Sequence, residues 1–116
     1  MDLLHHADLA SAHDVDRVVS EVEPDEIYNL AGSTSVAQSW LDPVGTADVI
    51  GVGSVRVLEA AWRCQERLGR EVRVLQASSA ETFGDPDVAP QDERTLVRPV
   101  TPYGAAKAFA HEMTGV

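Results

Sequence analysis

The sequence is short of cysteine, of basic side chains and of long apolar runs. Cys64 stands alone among 116 residues, so no intramolecular disulfide can form and a cysteine-built zinc cluster is not expected. A reducing cytoplasm is the expected compartment. Lys and Arg number 9 against 19 Asp and Glu, a formal charge of −10. With no basic stripe to neutralise phosphates, sequence-independent nucleic-acid binding is excluded, and docking on an anionic membrane face is disfavoured. No run approaches the roughly 18 apolar residues that a membrane-spanning helix needs. Met1 to His6 lacks the basic start and apolar core of a secretory leader.

What is present is a globular balance, 44% apolar and 24% charged, too apolar for a disordered tail. The length fits one domain at most. Composition is even, with no linker, repeat or low-complexity segment. The chain opens in an apolar stretch and closes inside a helical pattern, as expected of a piece of a larger domain; a complete small domain is the alternative.

A pass along the chain gives alternating elements. Leu3 to Leu9 is expected to be a short strand ending at Asp8. Ser11 reads as a helix N-cap with Asp14 three residues on, and Val15, Val18, Val19 and Val22 follow at helical spacing until Pro24. Glu26 to Ala31 reads as a buried strand, followed by the small polar loop Gly32 to Ser35. Asp42 and Pro43 start a long helix to about Leu68. Ala47, Ile50, Val55, Leu58 and Trp62 are expected on or near one face, with Gly51 and Gly53 weakening the helix by ~1 kcal/mol each. Val72 to Ala77 is a further strand; a loop of about 20 residues follows, and Thr101 and Pro102 begin a last helix. Such alternation predicts an α/β fold, a parallel sheet with helices on both faces. Ligands in such sheets sit beyond the carboxyl ends of the strands. Asp8, Gly32 to Ser35 and Ser78 to Glu81 all fall there.

Tyr103 and Lys107 are four apart on the last helix and share a face. A phenol titrates near 10, and an ammonium one turn away favours its ionised form, which makes the pair a candidate acid/base for a hydroxyl proton. Two ordinary helix-surface residues are the plainer reading of Tyr-x-x-x-Lys. Ser79 and Glu81, at the end of the preceding strand, add a hydroxyl that can orient a substrate oxygen and a carboxylate that can move a proton. Turn chemistry is the plainer reading of these two.

Taken together, several segments resemble the extended short-chain dehydrogenases/reductases, and within them the GDP-mannose 4,6-dehydratases. They are Glu23 to Gly32, Ser39-Trp40 with Pro43, Thr46-Ala47, Leu58 to Ala60, Gln76 to Gly84, Pro90-Gln91, and Pro99 to Lys107. The resemblance covers nearly the whole chain. It implies a partial Rossmann-like, doubly wound domain that binds NADP, or alternatively NAD, and acts on GDP-mannose. Internal hydride transfer from C4 to C6 with loss of water would give the 4-keto-6-deoxy sugar nucleotide. In that scheme Tyr103 accepts the hydroxyl proton, Lys107 holds the phenolate and bonds the cofactor ribose, Ser79 bonds the C4 oxygen, and Glu81 removes the C5 proton. Asp8 and Leu9 match a pair bracketing the adenine ring; Leu30, Ala31, Gly32, Ser33 and Thr34 match the segment under the riboses. Among relatives, epimerases usually lack the Glu, and dehydratases of dTDP-glucose usually place Asp beside it. Ala80 in that place points to the GDP-mannose type.

Departures from the family pattern are also present. The Gly-x-x-Gly-x-x-Gly phosphate loop and the substrate-gripping domain have no match in these 116 residues. Gly45 stands where relatives often have Tyr, Ser35 where some have His, and Ile50 where a polar residue is common. The 116 residues therefore read as an incomplete NAD(P)-binding domain, inactive alone and a homo-oligomer when complete. Another sugar-nucleotide dehydratase or epimerase is the first alternative, and a non-catalytic dinucleotide- or partner-binding fragment the second. His5, His6, His13 and His111 lack a metal-ligand spacing and read as solvated or packing side chains; no metal is expected. Cys64 reads as core. Trp62 and Leu58 read as core or as an oligomer face, and Asp85 to Glu93 as a solvated loop at the mouth of the site.

Overall fold

The computed structural model describes residues 3–116. Met1 and Asp2, the start of the stretch read for a secretory leader, lie outside them. Helix α1 spans Ala12–Val22, and strand β1 spans Glu26–Asn29. Helices α2 (Val36–Leu41) and α3 (Pro43–Thr46) lead into a π-helical turn, Ala47–Val52, which continues as α4 (Gly53–Leu68). Strand β2 (Arg73–Gln76), a 3-10 turn (Ala80–Phe83) and α5 (Pro102–Thr114) complete the order. Among the described residues no helix is long and apolar enough to cross a membrane.

Side chains set the helix starts. Ser11 accepts from the Asp14 N–H, Asp42 from Gly45 and Thr101 from Gly104, each quenching an amide that the first turn leaves unpaired. The Asp14 carboxylate does not complete a capping box with Ser11; it accepts from the Asp8 N–H instead. Gly69, at φ +66°, closes α4 in the left-handed conformation.

β1 and β2 pair in parallel, with Ile27 opposite Val74 and Asn29 opposite Gln76. A parallel pair needs a crossover, which α2 to α4 supply. Ile27 and Val74 pack with Leu9 and Leu68 on a core of Val15, Val19, Val57, Ala60, Ala61, Cys64 and Val72. A smaller core joins Ile50, Tyr103 and Ala106, with Val36 against it.

Two sequence expectations need correction. Leu3 to Leu9 forms no strand: among the described residues the sheet holds only β1 and β2. The segment is instead pinned through its backbone, the Arg17 guanidinium donating to the His6 carbonyl at 2.9 Å and that of Arg56 to Leu9 at 2.8 Å. Trp62 is 59% exposed, while the small residues Gly53, Ser54, Ala60, Ala61 and Cys64 form the buried face with Val57. Close packing of α4 on α1 and the sheet leaves room for small side chains inside and puts the bulky ones outside. The parallel sheet with packed helices is as expected, and the described helices lie on its Ile27–Val74 face. Tyr28 and Leu75, on the other face, are 61% and 50% exposed among the described residues.

Val57→Ala is expected to lower stability by about 2 kcal/mol, because it leaves a void between α4 and α1. Tyr28→Ser should change it by less than ~0.5 kcal/mol. Urea unfolding checks both, and equal effects would show that the covered face is misassigned.

Candidate active site

Parallel register makes both strands end at one sheet edge. The Leu30–Ser35 loop and the Ala77–Glu81 segment therefore leave the sheet side by side. Ser79 caps the 3-10 turn, its Oγ accepting from the Glu81 N–H at 3.2 Å while its carbonyl accepts from the Thr82 hydroxyl at 2.8 Å. The first turn of α5 docks on this turn. Gly104 makes the docking possible, since a Cβ there would sit 2.5 Å from the Glu81 carbonyl oxygen. Ser79 and Glu81 are thus carried by the turn that abuts the helix start bearing Tyr103.

Tyr103 and Lys107 are buried, at 6% and 7% exposure. The Lys107 Nζ lies 5.9 Å from the Tyr103 ring centroid and donates to the Ala77 carbonyl at 3.0 Å. Lys107 is the only lysine of the chain. Burial holds its ammonium below the ordinary lysine range. Because the unfolded chain then binds more protons above the depressed value, this group makes folding more favourable as pH rises toward about 10.

The remaining sequence-selected residues fall in two segments, Leu30 to Thr34 after β1 and Asp8-Leu9 before α1. Gly32 turns the loop at φ +117°, where a Cβ would press on Ile50 at 2.9 Å. Leu30, Ala31, Ser33 and Thr34 are exposed around it. Asp8 closes a turn by accepting from the Ala10 N–H at 2.9 Å. Leu9 packs over Gly53, the residue before Ser54, and Ser54 Oγ accepts from Asn29 Nδ2 at 3.4 Å. Successive residues of α4 thereby tie the Asp8–Leu9 segment and the end of β1 together.

The sequence reading places Ser39 only within the family resemblance and gives it no role. Its Oγ accepts from the Tyr103 N–H at 3.2 Å and donates to the Val36 carbonyl at 2.6 Å, fixing α2 against the start of α5. A signal was there: Ser35 and Gln38 have capping-box spacing, and Ser35 does cap α2. The Asp85 to Glu93 stretch borders a cavity of about 340 Å³ whose lining includes Phe83, Arg94, Leu96 and Arg98 but none of Ser79, Glu81, Tyr103 and Lys107.

A parallel sheet edge with a tight glycine turn, a capped serine–glutamate turn and a buried tyrosine–lysine pair defines the class as Rossmann-type. UDP-glucose 4-epimerase of Thermotoga maritima, solved with UDP-glucose, superposes with a TM-score of 0.87 at 23% identity, over 97% of this chain and 36% of that one. RMD of Pseudomonas aeruginosa, complexed with NADPH, gives a TM-score of 0.80 at 26% identity, over 97% and 37%. In sequence, GDP-mannose 4,6 dehydratase 2 of Arabidopsis thaliana is 43% identical over 111 residues, covering 96% of this chain and 30% of its own length. The sequence profile of the GDP-mannose 4,6 dehydratase family matches residues 2–116, and the chain belongs to that family. It spans about 30% of the length of the relative it matches.

Ser39→Ala removes a buried acceptor at the α5 start and is expected to cost about 1–3 kcal/mol of stability. Thermal unfolding, compared with the exposed Ser33→Ala, measures it; equal melting temperatures would contradict the anchoring role.

Proposed function

We propose that these residues are the central part of the cofactor domain of a GDP-mannose 4,6-dehydratase, a hydro-lyase. The docking of the Ser79–Glu81 turn on the helix start that holds Tyr103, beside the buried Lys107, is the observation that carries this reading. Family membership supplies the substrate, GDP-mannose. The residues present fit a dinucleotide: the exposed loop Leu30 to Thr34 turns at Gly32 and leaves backbone free to approach it, and Leu9 packs on Gly53, next to the Ser54 that bonds the end of β1. NADP, or NAD, supplies a hydride acceptor and donor when bound.

In this reading Tyr103 takes the proton of the C4 hydroxyl, and the Lys107 ammonium stabilises the phenolate so formed. Ser79 holds the C4 oxygen. The C4 ketone acidifies C5, and Glu81 removes that proton. The same carboxyl group then protonates the C6 hydroxyl as it leaves as water. Lys107 also reaches the cofactor ribose, and burial at 7% exposure excludes water around it. Chain pairing fits the exposed apolar side of α4 and α5. Val52 on the π turn, Trp62 on α4 and Phe109 on α5 are exposed apolar side chains that a second copy of the complete protein would cover.

In the full-length protein Tyr103→Phe should reduce turnover of GDP-mannose by about 10²-fold or more. Glu81→Gln should abolish the 4-keto-6-deoxy product while C4 oxidation persists in part, seen as reduced cofactor. Normal product formation by Glu81→Gln would exclude Glu81 as the base.

A further inference from the structure

The Ala77 carbonyl that receives Lys107 has a second donor. Gln76 Nε2 donates to the same oxygen at 3.1 Å. The Gln76 carboxamide is oriented from its other side, where Oε1 accepts from Asn29 Nδ2 at 2.8 Å. Asn29 is oriented in turn, because its Oδ1 accepts from the Ala31 N–H at 3.3 Å. That backbone donor can face only an oxygen, and the Ala77 carbonyl can face only an N–H. Both amide orientations are therefore fixed by the network itself. Asn29 spends its remaining proton on Ser54 Oγ, whose hydroxyl donates to the Ile50 carbonyl at 2.6 Å. The chain of bonds runs unbroken from the Ala31 amide, at the root of the Gly32 loop, to the Lys107 ammonium.

We infer that Gln76 is a positioning residue for Lys107: its amide, steered by Asn29, aims the Ala77 carbonyl at the ammonium and so couples the loop after β1 to the tyrosine–lysine pair. The inference rests on the proposed pairing of Lys107 with Tyr103. Gln76 itself touches neither residue's reactive atom; it acts through one backbone oxygen. Simple strand packing would need no such pattern, since a buried Leu at position 76 would fill the same space without a donor. Tyr103 one turn back and Glu81 on the docked turn are the other titratable groups around this end of α5. Asp48, on the π turn that also packs on α5, is neutralised by Arg56 at 2.8 Å.

The test follows the Lys107 amine directly, by peptide-resolved mass spectrometry of its acetylation across pH in the full-length protein without substrate or cofactor. The peptide reports one amine, because Lys107 is the only lysine of these residues. Gln76→Glu replaces the amide donor with an anion within reach of the same carbonyl. Lys107 should then titrate about one pH unit higher, which is about tenfold slower acetylation at a fixed pH below its titration. Gln76→Leu frees the carbonyl without adding charge, and Lys107 should become several-fold more reactive. Unchanged Lys107 titration in a folded Gln76→Glu protein overturns the inference, whether or not Gln76→Leu folds. Turnover by the natural sequence is scored separately. No turnover of GDP-mannose with a shifted Lys107 sinks the dehydratase reading and spares the relay. Normal turnover with an unshifted Lys107 does the reverse.

Discussion

Everything at the candidate site depends on how α5 begins. Its first turn lies against the Glu81 carbonyl, and its second sends Lys107 inward to the Ala77 carbonyl at 3.0 Å. A side chain at position 104 would push the helix off the turn, and a lysine left in solvent would not be drawn back under Tyr103. The approach is fixed from three directions, with Thr101 capping the helix, Ser39 taking the Tyr103 N–H and Gly104 giving way to the turn. Interiors packed at crystal density hold such placements to fractions of an ångström, which is the tolerance proton transfer needs.

That placement has an electrostatic cost. Lys107 is the one cationic side chain in the small core beneath the sheet edge, and its burial disfavours the charged form. The Ala77 carbonyl offsets part of the loss, and the Asn29–Gln76 pair holds that carbonyl. The polar network is thus concentrated where two strands end, while the larger core between α1 and α4 is almost wholly aliphatic. The π turn and the start of α4 stand between the two cores, Gly51 accommodating Phe109 and Gly53 accommodating Leu9.

Much of this was legible in the sequence. Ser11, Asp42 and Thr101 announced their helices by chemistry that acts within one turn, and the structure places all three as caps. Strands β1 and β2 were legible from short apolar runs, though two residues of the predicted Glu26–Ala31 run continue as loop. Tyr103 and Lys107 share a face as their spacing requires. What failed depended on partners the local pattern does not carry. Leu3 to Leu9 has the composition of a strand but no neighbour to pair with among the described residues. Trp62 falls near the apolar face by helical spacing and reads as core or as an oligomer face, yet the α4 contact face is narrow and selects alanine and serine, which leaves Trp62 outside. The Gln76–Ala77–Lys107 contact joins residues 30 apart and is invisible to any window-based reading.

In the proposed function Tyr103, Lys107 and Glu81 move the protons at this sheet edge, while the C4 hydride would pass to NADP or NAD, when bound, and return to C6 as water is eliminated across C5 and C6. The most direct measurement gives the full-length protein GDP-mannose deuterated at C4 and locates the label in the product. Internal hydride transfer requires a 4-keto-6-deoxy sugar nucleotide with the deuterium at C6. Deuterium lost to water, or retained at C4 of an unchanged hexose, would contradict it.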